Sequence, residues 1–138
     1  MDKVIIYTDG GARGNPGPAG IGAVIYNERK KIIAEISEYI GGATNNQAEY
    51  KALIAAFRKA VDLGAKELDC YLDSELIVKQ LKGEYRVKDK DLALLFLDIH
   101  NLSLSFKKIS YTHIPREKNE AADRLVNEAL DREVGQRN

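Results

Sequence analysis

The sequence predicts a mixed α/β fold, a five-stranded sheet flanked by helices, and three observations carry that prediction. Over the first forty or so residues, apolar side chains come in β-branched runs or alternate with period two. From about residue 46 the apolar period changes to three and four. Beyond that helix, strand-like and helical stretches alternate to the end of the chain. Early strands followed by alternating helix and strand bury their apolar faces best as one sheet, its first three strands antiparallel, with helices on its faces.

Residues 4–8 form an unbroken apolar run rich in β-branched side chains, which suits a central strand covered on both faces. A Gly/Pro-rich loop is expected over 10–20, then a strand over 21–26, a polar turn over 27–30 and a strand over 32–40. In that third strand Ile32, Ala34, Ile36 and Ile40 point one way and Ile33, Glu35, Ser37 and Tyr39 the other, as in a hairpin partner at a sheet edge. Tyr50, Leu53, Ile54, Phe57, Ala60 and Val61 then recur at helical spacing, predicting an amphipathic helix from about 46 to 63. Asn45 or Asn46 is the expected cap and Gly64 the expected stop. A strand over 68–73, a short helix over 74–81 and a longer helix from 89 to about 103 follow. The last elements are a strand over 108–114 and a helix from 119 to about 132, with a frayed tail over 133–138. No linker, repeat or low-complexity segment interrupts the pattern, so residues 1–138 are expected to form one domain.

Composition narrows the function classes. The chain has 138 residues, 44% hydrophobic and 30% charged, enough for a real core and typical of a globular protein. Lys and Arg number 21 and so do Asp and Glu, so net charge offers no argument for a nucleic-acid partner. Phosphate affinity normally comes from clustered Lys and Arg, and any basic surface here must be local. Acidic residues that hold divalent cations would offset this, because the ions bring positive charge of their own. The single cysteine, Cys70, lies in an apolar run and reads as a small buried hydrophobe. The apolar stretch at the amino terminus is too short for a signal peptide, and no segment could span a bilayer. These features predict a cytoplasmic protein with no membrane partner. The triplet Asn101-Leu102-Ser103 fits a glycosylation pattern only by chance.

Four carboxylates sit where predicted elements begin or end. Asp9 closes the first strand, Glu49 lies in the first turn of the first long helix, Asp73 closes the fourth strand, and Asp123 lies near the start of the last helix. Strand ends and helix starts project into a shared crevice in α/β sheets. Carboxylates gathered there repel one another and hold protons more tightly, a penalty that divalent cations remove, and hard oxygen ligands suit Mg²⁺. Each residue alone has a plainer reading. A lone Asp after a strand is usually a turn or cap residue, and Glu49 alone would be a helix-dipole partner. Asp123 sits on the margin of the apolar stripe formed by Ala122, Leu125, Val126 and Ala129.

Local sequence adds what spacing leaves open. Residues 7–20, Tyr-Thr-Asp-Gly-Gly-Ala-Arg-Gly-Asn-Pro-Gly-Pro-Ala-Gly, resemble the opening motif of type 1 ribonuclease H. Thr44-Asn45-Asn46-Gln47-Ala48-Glu49 is similar to the second motif of that family. Asp73-Ser74 followed by Val78-Lys79 resembles the third, and His113 to Asp123 the fourth. The motifs occur in the family's order and cover nearly the whole chain. The resemblance implies a ribonuclease H-like fold and hydrolysis of the RNA strand of RNA/DNA hybrids, leaving 5′-phosphate and 3′-hydroxyl ends. It implies Asp9, Glu49, Asp73 and Asp123 as ligands of two Mg²⁺ ions, for which Mn²⁺ would substitute, with Asp9 bridging them. It implies a role for His113 in proton transfer or product release, where the plainer reading is a structural histidine at a strand end. His100, within a helix, reads as structural. It further implies substrate contacts from Gly10, Asn15, Thr44, Asn45, Asn46 and Ser74, since short polar groups and loop amides can bond a 2′-hydroxyl.

The chain departs from some relatives of that family. Residues 81–92 are short where those relatives carry a long basic insertion, and no Trp is present. Lys79, Lys82, Arg86, Lys88 and Lys90 alternate with Glu84, Asp89 and Asp91, which fits a solvated face as well as a weak contact to the DNA strand. Glu75 stands where some members have Gln. The Gly/Pro loop is not a nucleotide cradle, because the element after it alternates as a strand and no Gly-Lys-Ser/Thr occurs. Two other readings of the same fold stay open: a catalytically silent nucleic-acid-binding module and a DNA-directed nuclease. Activity on double-stranded RNA is also open, and nothing demands more than a monomer.

Overall fold

The computed structural model of the chain describes residues 2–137, with side chains described for 2–135. Among these residues, five strands form one sheet in the order β3-β2-β1-β4-β5. The strands are β1 (Lys3–Ala12), β2 (Gly17–Tyr26), β3 (Ile32–Ala43), β4 (Glu67–Leu72) and β5 (Lys108–His113). β1 pairs antiparallel with β2 and β2 with β3, whereas β4 runs parallel to β1 and β5 parallel to β4. The helices are α1 (Asn45–Asp62), α2 (Glu75–Leu81), α3 (Lys90–Ser103) and α4 (Glu120–Arg137), with a 3₁₀ turn over Arg116–Lys118. The predicted mixed sheet with three antiparallel strands first is therefore the one observed.

The larger core lies between the sheet and α1. Val4 and Ile6 of β1, Ala23 and Ile25 of β2, and Leu68, Cys70 and Leu72 of β4 meet Tyr50, Leu53 and Phe57 of α1, all without appreciable exposure. The period-two set of the strands thus meets the period-3.6 stripe of the helix. Cys70 is a free, buried thiol, and burial pushes its pKa up, as an inert core cysteine requires. α3 lies outside α1, with Leu92 and Ile99 buried, and Phe57 meets Phe106 edge to face at 5.7 Å. Tyr50 brings its hydroxyl into this core and donates it to Gln80 Oε1 at 2.7 Å.

α4 crosses the opposite face of the sheet. Ala122, Leu125, Val126, Ala129 and Leu130 are buried there. The Ser37 hydroxyl donates to the Leu125 carbonyl at 2.6 Å, and Arg132 Nη2 donates to the Ser37 carbonyl at 2.8 Å. These bonds tie α4 to the edge strand β3. Gly22 sets how closely the helix approaches, since a methyl there would collide with the Ala122 carbonyl.

Most elements fall within two residues of the expected bounds, and the exceptions have local causes. β1 runs on from Thr8 to Ala12 because its ladder with β2 continues through Gly11–Gly20 and Ala12–Ala19. Glycine gives little strand signal in sequence, so much of the expected 10–20 loop is sheet. β3 likewise extends to Ala43 after a register shift beside Ala19 and Gly20. The α1 cap is Thr44 and not Asn45 or Asn46: its hydroxyl accepts from the Gln47 amide, and Gln47 Oε1 accepts from the Thr44 amide. Gly64 ends that helix as expected, with φ +77°. The frayed tail expected over 133–138 is instead helical through Arg137, and residue 138 lies outside the described residues.

Replacing Gly22 by Ala should destabilise the fold by about 1–3 kcal/mol, because backbone must move to admit the methyl. Gly42→Ala, where nothing lies within 4 Å, should change it by less than about 0.5 kcal/mol. Urea unfolding of the two variants beside the parent chain checks the pair.

Candidate active site

Two glycines determine where the acidic residues meet. Asp9 of β1 lies opposite Gly22 of β2, and Gly10 follows it. A side chain at Gly10 would collide with the Ala48 carbonyl, so only glycine lets α1 pass this close. The next residue of α1 is Glu49. On the other face Gly22 admits the Ala122 carbonyl, and the next residue of α4 is Asp123. One helix therefore meets β1 and the other β2 through backbone-to-backbone contacts, each immediately before an acidic residue. β4 ends at Leu72, alongside β1, and delivers Asp73.

Asp9, Glu49 and Asp73 each present one carboxylate oxygen, and the three oxygens lie within 4.8 Å of one another. Asp9 is 8% exposed and Glu49 7%, while Asp73 is half-buried. Asp123 stands at the margin, more open to solvent, with Arg116 Nη2 at 3.8 Å and Asn127 Nδ2 donating to its Oδ2 at 3.5 Å. All four line one polar cleft of about 540 Å³, together with Gly10, Asn45, Asn46 and Ser74. The structure thus gathers three of the four predicted carboxylates tightly and sets the fourth on the rim.

Burial dominates the electrostatics. Removal from water pushes the Asp9 carboxyl up to about 7, with Asp73 and Asp123 adding repulsion and Glu49 opposing it as a hydrogen-bond partner. Glu49 is raised well above the usual carboxylate range by burial first and then by the Asp9 charge. The Gly10 amide donates to Asp9 Oδ1 at 3.0 Å, yet Glu49 Oε2 is buried without a hydrogen-bond partner among the described residues. A pair of acids that hold a proton this tightly, with an unpartnered buried oxygen and a third carboxylate beside them, is the donor set a hard divalent cation needs. The residues present fit such an ion.

The other predicted site residues take up distinct positions. Asn15 Oδ1 accepts from the Asn45 amide at 3.0 Å, and Asn45 Oδ1 accepts from the Ala12 amide at 2.8 Å. These bonds tie the 13–16 loop and the end of β1 to the start of α1. Thr44 uses its hydroxyl as the α1 cap, and Ser74 accepts from the Ile77 amide at 3.3 Å as the α2 cap. His113 ends β5, is exposed and is not among the residues lining the cleft. His100 is also exposed, in the last turn of α3.

Arg13, Arg116 and Asn127 also line the cleft, and none was singled out from sequence. Arg13 Nη2 donates to Asp131 Oδ1 at 2.7 Å. Arg13 and Arg116 lie inside motifs already noted, and Asn127 is one helical turn beyond Asp123, which was the available signal.

Sheet order, helix placement and acidic cleft together define an α/β protein of the ribonuclease H type. Comparison with known proteins agrees. The family model for reverse transcriptase-like domains matches residues 7–129. A ribonuclease HI of Halobacterium salinarum is 47% identical over 129 residues, 94% of this chain and 65% of that protein. A bifunctional protein of Mycobacterium tuberculosis is 48% identical over 130 residues, 94% of this chain but 36% of its own length, so the chain spans about a third of that relative. Among solved structures, LC11-RNase H1 in complex with RNA/DNA hybrid superposes with a TM-score of 0.91 at 49% identity, covering 95% of this chain and 99% of that one. The chain belongs to the type 1 ribonuclease H family.

The raised acids fix the sign of a pH dependence. Because the folded chain binds these protons more tightly than the unfolded chain, their stabilising contribution is complete below about pH 4 and is lost as pH rises through about 7. In EDTA the chain should therefore melt lower at pH 8 than at pH 5. Asp9→Asn should recover much of that difference, of order a few kcal/mol, in melts followed by circular dichroism.

Proposed function

We propose that this chain is a metal-dependent endoribonuclease that hydrolyses the RNA strand of RNA/DNA hybrids and leaves 5′-phosphate and 3′-hydroxyl ends. The observation that carries this is the convergence of Asp9, Glu49 and Asp73, with Asp123 at the rim, in the polar cleft of a ribonuclease H-family chain. The likeness to LC11-RNase H1, whose structure includes an RNA/DNA hybrid, supports the substrate.

Asp9, Glu49, Asp73 and Asp123 would hold two Mg²⁺ ions, with Mn²⁺ able to replace them. When bound, the ions supply positive charge to polarise the attacking water and to stabilise the departing 3′ oxygen. The protein's own part is to place the scissile phosphate. Asn45 uses its side-chain oxygen on Ala12, so its NH₂ group stays free to donate into the cleft beside Asn46. We assign these amides to 2′-hydroxyl and phosphate contacts, with the NH₂ of Asn15 and the hydroxyl protons of Thr44 and Ser74 as further donors. Gly10 would contribute as a backbone position lining the cleft beside Asp9. Arg13 and Arg116 bring local positive charge to a chain that has none in excess. His113 is assigned to product release or proton transfer, and its exposed position suits release.

We infer a single catalytic domain acting as a cytoplasmic monomer, a location with which the free thiol of Cys70 is consistent. Among the described residues, no helix is long and apolar enough to cross a membrane.

A substrate panel tests this. With Mg²⁺, end-labelled RNA/DNA hybrid should be cut in its RNA strand, and EDTA should stop the reaction. Asp9→Asn should lower the rate at least about 10³-fold, equivalent to about 4 kcal/mol in the barrier. Cutting of double-stranded RNA as well would widen the substrate range, and cutting of double-stranded DNA alone would identify a DNA-directed nuclease. Hybrid binding without cleavage in either Mg²⁺ or Mn²⁺ would sink the catalytic reading in favour of a silent binding module.

A further inference from the structure

Asn119 holds an unusual position. It is 1% exposed, and its side-chain NH₂ donates to the Thr8 carbonyl at 2.9 Å and to Asp73 Oδ2 at 3.0 Å. Both amide protons are thereby used. A flipped amide would set its oxygen against two acceptors, so the orientation is determined by the network. The Asn119 carbonyl accepts from the Asp123 amide at 3.1 Å, the first hydrogen bond of α4. This is the N-cap position, where an asparagine ordinarily gives its side-chain oxygen to the exposed amides of the first turn. Here the side chain turns inward instead, and its Oδ1 is buried with no hydrogen-bond partner among the described residues. Giving up the cap and leaving a buried acceptor unpaired both cost stability, and such local losses concentrate at functional sites.

We infer that Asn119 is a positioning residue for the metal-binding carboxylates, fixing Asp73 through its side chain and the start of the Asp123-bearing helix through its backbone. It also holds the Thr8 carbonyl, immediately before Asp9, so three of the four carboxylates are referred to one side chain or its backbone. A neutral donor suits this task. Lys or Arg in its place would orient Asp73 but cancel the charge that a cation needs, whereas an amide orients the carboxylate and leaves it anionic. The inference rests on the metal-binding reading proposed above, and the experiment separates the two.

Mn²⁺ binding is measured by calorimetry on the full chain, parent and variant, without substrate. Asn119→Ala should weaken Mn²⁺ binding about 10–100-fold. Asn119→Asp, the same shape with an acceptor in place of the donor, should weaken it at least as much. Phe57→Leu, a core truncation far from the cleft, should lower thermal stability yet leave the affinity unchanged. If Asn119→Ala does not fold, Asn119→Ser, smaller but still a donor, takes its place and should show a partial loss. Parent-like Mn²⁺ affinity in a folded Asn119 variant overturns the inference and leaves the metal reading standing. No Mn²⁺ binding by the parent chain overturns both.

Discussion

The site depends on the close approach of two helices to two paired strands, at two glycines that have no side chain to keep them away. Gly10 lies against the Ala48 carbonyl on one face of the sheet, and Gly22 against the Ala122 carbonyl on the other. Backbone meets backbone at both points, so the distance is set by hard-core repulsion and not by adjustable side chains. Glu49 and Asp123 follow directly, and both are thereby delivered to Asp9 from opposite sides. The parallel β1–β4 pairing adds Asp73 from the neighbouring strand. Packing thus brings three carboxylates together and leaves Asp123 at the rim of the same cleft.

That convergence is unfavourable in itself. Two acids are almost fully buried, and their proton affinities are raised because desolvation and mutual repulsion disfavour the charged forms. Among the described residues, the buried side-chain oxygens without partners are Thr8 Oγ1, Glu49 Oε2 and Asn119 Oδ1, from segments that meet around the cleft. The core beneath the sheet offsets this strain. Tyr50 and Phe57 are fully buried in it, and even the Tyr50 hydroxyl finds Gln80. Rigid packing on one side permits a polar, repulsive cluster at the end of the same strand.

Sequence reading recovered what repeats with a period. The α1 stripe of Tyr50, Leu53 and Phe57 and the apolar run of β1 were legible because burial imposes spacing directly on the chain. The four carboxylates were legible through their places at element ends and through the local motifs around them. The extension of β1 through Gly10 and Gly11 was not, because a glycine strand is specified by its partner and not by its own propensity. The sequence does not single out Thr44 as the α1 cap over its neighbours Asn45 and Asn46, since Thr and Asn both suit that role. Only the structure shows that Asn45 turns its oxygen to Ala12. The inward turn of Asn119 and the contact of Gly22 with Ala122 join residues about a hundred positions apart, and no local pattern encodes such pairs.

Gly22 carries no side-chain functional group and lies on the strand next to the one that bears Asp9. A methyl there would still lift α4 and draw Asp123 away from its partners. The chemistry of the cleft therefore constrains this residue too, through shape and not reactivity. Invariance at this position across relatives would record a steric limit, and a search for reactive groups alone would miss it.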